Sequence, residues 1–146
     1  MSTDPITIAA VTEVYEQFML RFRNRDVEGV VALYAAQENP ICIGTGRDEV
    51  RAGGDQIRVQ FIRDFEQSRR AEWREKWFSV SAEGPVAWLA AEGVWEIETA
   101  AGAHLQAPTR FTIVLRYLGS QWRIVQSHTS LPALGQREGE SFPERI

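Results

Sequence analysis

Between Thr109 and Pro132 the chain reads as two arms of alternating apolar and polar residues, Thr109-Arg-Phe-Thr-Ile-Val-Leu-Arg-Tyr117 and Gln121-Trp-Arg-Ile-Val-Gln-Ser-His-Thr-Ser130. Successive side chains of a strand point to opposite faces, so each arm has one apolar face. Phe111, Ile113, Leu115 and Tyr117 share one parity; Trp122, Ile124, Gln126 and His128 share the other arm's. With Leu118-Gly119-Ser120-Gln121 as the turn, Tyr117 falls opposite Trp122, Leu115 opposite Ile124, and Phe111 opposite His128. This hairpin demands a partner layer for its apolar face. It also predicts a single imidazole at the rim of that face, where a pocket would open.

The same change of period divides the rest of the chain. Asp4 and Pro5 form a helix start, with a carboxylate to cap free N–H groups and a ring pre-set for the first helical position. Val11, Val14, Tyr15, Phe18 and Phe22 then make one apolar stripe at three- and four-residue spacing. Asp26 caps a second predicted helix with Val27, Val30, Val31 and Tyr34 inward, broken by Asn39-Pro40, since a residue before proline avoids the helical region. Ile41 to Gly46 reads as a short strand. Gly53-Gly54-Asp55 turns into a third helix bearing Ile57, Phe61 and Phe65 at four-residue spacing. After Ser68, four stretches rich in Trp, Val, Ile and Phe follow: 72–81, 86–99, 105–118 and 121–130, separated by glycine-containing turns. Helices first and long strands after predict an α+β fold with an antiparallel sheet.

A chain of 146 residues is one domain by size. We place that domain at 1–134 and read 135–146 as a polar tail. Net charge is −4, with acidic and basic residues interspersed, so the basic stripe of a nucleic-acid binder is missing. No apolar run reaches transmembrane length, and the start lacks the basic-then-apolar order of a signal peptide. With Cys42 as the single cysteine, a cytoplasmic location is expected, with neither nucleic acid nor membrane as partner.

Four segments carry a resemblance to a known family: Asn24-Arg-Asp-Val-Glu-Gly-Val-Val-Ala-Leu-Tyr34, Gly53-Gly-Asp-Gln-Ile57 with Phe61 after it, Pro85-Val-Ala-Trp88, and Trp122 through His128 to Pro132. Over about Thr3 to Pro132 the chain resembles the nuclear transport factor 2-like superfamily and, within it, the SnoaL-like, ketosteroid-isomerase-like proteins. The resemblance implies a cone-shaped, cystatin-like α+β fold, in which a curved antiparallel sheet wraps around three N-terminal helices. It also implies a mostly apolar pocket at the open end and a homodimer through the convex sheet face. Ketosteroid isomerases place a carboxylate base on the strand after the second helix, where this chain has Ile41-Cys-Ile-Gly44 and no carboxylate. Their tyrosine donor corresponds to Tyr15, and the acid partner expected near Thr109 to Thr112 is absent. The steroid-isomerase mechanism is therefore not expected.

His128 is the candidate catalytic residue: an unperturbed imidazole titrates at about 6.5 and can exchange protons at neutral pH. A strand-end histidine bonded to a backbone carbonyl is the plainer alternative. Tyr15, Tyr34, Trp88, Arg110 and His128 are the expected pocket-lining set; Arg110 reaches the pocket only if a bulge resets its parity. Glu75 and Glu92 within strands are either pocket acids or water-facing groups. Gly44-Thr45-Gly46 lacks the third glycine and the parallel βαβ unit of a dinucleotide site. Two histidines and one cysteine without close spacing give no metal set, and no cofactor is expected. The sequence thus points to a protein that binds a small apolar or amphipathic molecule. The alternative is an acid–base enzyme of isomerase, cyclase or dehydratase type using His128.

Overall fold

The computed structural model describes residues 4–145. Helix α1 (Pro5–Arg23) starts where the capping signal places it: Asp4 accepts a hydrogen bond from the Ile6 amide at 3.2 Å and another from the Thr7 hydroxyl at 2.9 Å. Its stripe of Val11, Tyr15 and Phe18 is buried. Arg25 then takes a left-handed φ of 60°. That conformation is uncommon outside glycine. Here the guanidinium is held by the Phe65 carbonyl and lies 5.4 Å from the Phe65 ring centre, a contact that offsets the backbone cost.

Helix α2 (Val27–Val31) is shorter than its apolar spacing predicts. The Asp26 carboxylate caps it by accepting from the Gly29 amide. The chain then leaves the helix because its backbone finds a strand. The Ile124 amide donates to the Leu33 carbonyl at 2.9 Å, and the Ala35 amide donates to the Ile124 carbonyl at 2.8 Å. Tyr34 therefore sits on extended chain beside the last strand, not on a helix face. A 3-10 turn (Ala36–Glu38) leads into β1 (Ile41–Ile43) and β2 (Val50–Ala52), and α3 follows (Gly54–Glu66). Four long strands complete the fold: β3 (Ser68–Glu83), β4 (Val86–Thr99), β5 (His104–Leu118) and β6 (Gln121–Ser130). The strand boundaries read from the sequence hold at β4 and β6; β3 begins four residues earlier and β2 is an addition.

The six strands form one curved sheet in the order β2-β1-β6-β5-β4-β3, antiparallel throughout except for the parallel β1–β6 pair. The helices fill its inner face, giving the expected cone-shaped α+β fold. Rings from three elements meet there: Phe18 lies 6.0 Å from Phe61 and 5.2 Å from Phe111. Leu89, Ile113, Leu115 and Ile124 from three adjacent strands are essentially without solvent contact beneath them. Burial on that scale is the main stabilising term of the domain.

The β5–β6 register contains one irregularity that matters for function. Val114 pairs with Gln126, but Leu115 pairs with Ile124, so Val125 is an extra, unpaired residue. Such a bulge resets the alternation of a strand. Trp122 and Ile124 face the core before it; Ser127 and Thr129 do so after it.

Candidate functional site

The curved sheet and helices form a partly open cavity of about 390 Å³. Phe18 and Phe22 of α1, Trp95 and Ile97 of β4, and Leu105 and Phe111 of β5 form its apolar wall. Its polar lining comes from Tyr34, Cys42, Gln60, Asp64, Ser127 and Thr129. A second, wider groove lies between α1 and the hairpin turns, where the Tyr117 and Trp122 rings pack 5.3 Å apart. It is more open and, among the described residues, carries no buried polar cluster, so the first cavity is the better candidate.

The polar lining is built from two sets. In the first, the Tyr34 Oη and Ser127 Oγ are 2.7 Å apart, and Tyr34 also approaches the Cys42 Sγ at 3.6 Å. Tyr34 and Ser127 are buried. Burial pushes the Tyr34 phenol well above its ordinary pKa, so it remains a hydrogen-bond donor. Burial likewise pushes the Cys42 thiol up, which keeps it from being a thiolate nucleophile.

The second set centres on Gln60 of α3, which is 4% exposed. Its Oε1 accepts from Arg51 Nε at 3.0 Å and from Arg63 Nη2 at 3.3 Å. Its Nε2 donates to Glu49 Oε1 at 3.1 Å and Asp64 Oδ1 at 2.8 Å. Two cations on the oxygen and two carboxylates on the nitrogen leave the amide one orientation. Glu49 is fully occupied: Arg63 donates to Oε1 at 2.9 Å and the Gly46 amide to Oε2 at 2.7 Å. A Cβ on Gly44 would come 2.3 Å from that same Oε2, so the glycine turn exists to wrap the Glu49 carboxylate. Asp64 differs. Gln60 holds one of its oxygens, and the other takes no hydrogen bond from the described residues. Burial pushes its carboxyl up to about 6, further raised by the Glu49 charge and partly offset by the Gln60 bond.

Of the expected site residues, Tyr34 lines this cavity. His128 does not. The Val125 bulge pairs Phe111 with Thr129 and sets His128 opposite Thr112, exposed on the outer sheet face. Arg110 lies on the same outer face, between Glu92 and Ser130, because the bulge falls in β6 and leaves the parity of β5 unbroken. Trp88 is 41% exposed there, cross-strand from Val114. Tyr15 is buried but committed elsewhere: it accepts from Trp73 Nε1 at 2.7 Å and donates to Glu75 Oε1 at 3.0 Å, lining neither cavity. Glu75 is thus a core-rim partner of Tyr15, and Glu92 pairs with Lys76 at 3.0 Å.

The family model of the SnoaL-like domain matches residues 11–134. The chain belongs to the SnoaL-like family. No curated protein matches this SnoaL-like chain. Solved structures share its fold. A ketosteroid isomerase-like protein from Erwinia carotovora atroseptica is 21% identical, with 86% of this chain and 95% of that one covered at a TM-score of 0.69. An NTF2-like protein of unknown function from Pseudomonas putida is 19% identical over 86% and 88%, at 0.74. A protein with a cystatin-like fold from Nostoc punctiforme is 14% identical over 92% and 98%, at 0.72. Likeness at these identities establishes the fold of this SnoaL-like domain and leaves its chemistry to the site.

Proposed function

We propose that this SnoaL-like protein binds a small amphipathic molecule, with an apolar body and at least one polar oxygen, in the 390 Å³ cavity. The observation that carries this reading is the mixed lining, in which aromatic rings share the cavity with the Tyr34–Ser127 hydroxyl pair and Asp64. A few convergent polar groups in an otherwise apolar concavity fix a ligand's orientation while apolar burial supplies its affinity. The volume suits a molecule of one or two rings.

Ala107 lines the cavity beside its cross-strand partner Trp95, so Ala107→Trp fills the space from the wall without touching the polar set. Native mass spectrometry of protein taken from its host should find a retained small molecule on the natural chain and none on Ala107→Trp. Retention by both would overturn the cavity as the binding site.

The same reading includes a homodimer through the outer sheet face and a cytoplasmic setting. Trp77 is 46% and Trp88 41% exposed, and Val114 lies next to Trp88. A twofold pairing covers such a face with a single self-complementary patch. The net charge of −4 speaks against nucleic acid as a partner.

A further inference from the structure

We propose that the second groove, between α1 and the hairpin turns, is a binding site for a small aromatic carboxylate, whose flat body lies against the Tyr117–Trp122 ring pair and whose carboxylate is held by Arg21 and Arg123. The groove shares no lining residue with the first cavity, so the two sites are independent.

The apolar part of the groove comes from two sources. On α1, Ile6, Ala10 and Val14 line it. Four-residue spacing keeps them on one helix face, apart from the buried stripe of Val11, Tyr15 and Phe18. From the turns come Pro85, Tyr117 and Trp122. The Tyr117 amide donates to the Pro85 carbonyl at 2.8 Å, which ties the β3–β4 turn to the ring pair. Trp122 packs against the core and so holds the pair in place. The rings are tilted by 49°, and Tyr117 is 46% exposed. Fixed aromatic surface left open to solvent is a seat for a flat apolar body.

The charged part is anchored on α2. Arg21 donates from Nη1 to the Gly29 carbonyl at 2.8 Å and from Nε to Gln17 Oε1 at 3.2 Å. Arg123 donates from Nη1 to the Ala32 carbonyl and from Nη2 to Gln121 Oε1. Gly29 and the C-cap Ala32 are three residues apart on one helical turn, so the two anchoring carbonyls are separated by about 4.5 Å along the axis. Two guanidiniums are therefore held near each other by neutral acceptors. Among the described residues, neither has a carboxylate within ion-pair distance. Arg51 and Arg63, by contrast, are paired with Asp48 and Glu49. A guanidinium has five N–H donors, and those left over on Arg21 and Arg123 match the two oxygens of a carboxylate. Glu13 is the one carboxylate in the groove lining; it accepts from Gln17 Nε2 at 3.0 Å. Eight residues of α1, about 12 Å of helix rise, separate it from Arg21, so the Arg21 end of the groove is positive. Trp122 directly precedes Arg123 in β6. Ring surface and charge thus adjoin, as ring and carboxylate do in an aromatic acid.

The test uses the full chain, 2-naphthoate as the probe and 2-naphthamide as its uncharged counterpart, with affinities read by ligand-observed NMR titration at pH 7. The natural chain should bind 2-naphthoate about 10-fold more tightly than the amide, and added salt should narrow the difference. Arg21→Gln and Arg123→Gln should each bring 2-naphthoate down toward the amide. Both arginines also bond α2, so Ala10→Trp, which fills the groove and leaves the arginines in place, provides a second variant; it should abolish binding. Ala107→Trp, in the first cavity, should bind 2-naphthoate as the natural chain does. Circular dichroism checks that each variant is folded. Equal affinity for acid and amide, no binding of 2-naphthoate, or binding that survives Ala10→Trp and is lost in Ala107→Trp would overturn the proposal.

Discussion

Asp64 sits at a position where an apolar residue is the rule. Along α3, Ile57, Gln60, Phe61 and Phe65 are buried and Asp64 is half-buried beside them, so a carboxylate and its amide clamp border the core stripe of the helix. Its raised pKa is a statement about stability. The folded value is about 6 against an ordinary 3.8, so folding favours the protonated form. The contribution is whole below about pH 4 and is lost as pH rises through 6. Two pKa units correspond to about 3 kcal/mol. Asp64→Asn should therefore match the natural chain in stability near pH 4 and exceed it by up to about 3 kcal/mol at pH 8. Urea unfolding at both pH values measures the difference; a constant offset would show that Asp64 is not buried as described. The spacing of polar residues within that stripe is readable from the sequence and marks Gln60 and Asp64 as unusual. Four-residue spacing through Ile57, Phe61 and Phe65 alone passes over both.

Strand β6 shows how far alternation carries and where it stops. Its ends, its turn and its inward Ile124 follow from period two, as do the inward Phe111, Ile113 and Leu115 of β5. The side of His128 does not, because one unpaired valine separates it from Ile124, and nothing in Ile-Val-Gln-Ser distinguishes a bulged stretch from a regular one. The short α2 was equally hidden: its apolar spacing suits a helix through Tyr34, and only the distant β6 backbone offers the competing hydrogen bonds. These placements give opposite expectations for two residues four apart. Ile124 has no solvent exposure, and Ile124→Ala should cost about 2–5 kcal/mol. His128→Asn, on the outer face, should change stability by less than about 0.5 kcal/mol and leave ligand retention intact. Chemical denaturation of both variants side by side distinguishes them, and a large loss for His128→Asn would place the imidazole inside after all.

At the level of the whole molecule, an outer sheet face with exposed tryptophans predicts self-association. Sedimentation at micromolar concentration should give about twice the 16.6 kDa chain mass, and Trp88→Glu should return it to the single mass. A monomer in the natural chain would leave that face to another role. The sheet order has a further consequence. Because β1 and the extended segment at Tyr34 pair with β6, the hydroxyl pair joins residues 34 and 127, near the two ends of the chain. On the ribosome, where segments emerge in order, the α1, β4 and β5 residues of the apolar wall are made before the partner of Tyr34. Until Ser127 clears the exit tunnel and β6 docks between β1 and β5, a nascent chain has a greasy hollow and no means of holding a ligand's oxygen. Ligand recognition is therefore among the last properties this protein acquires during its synthesis.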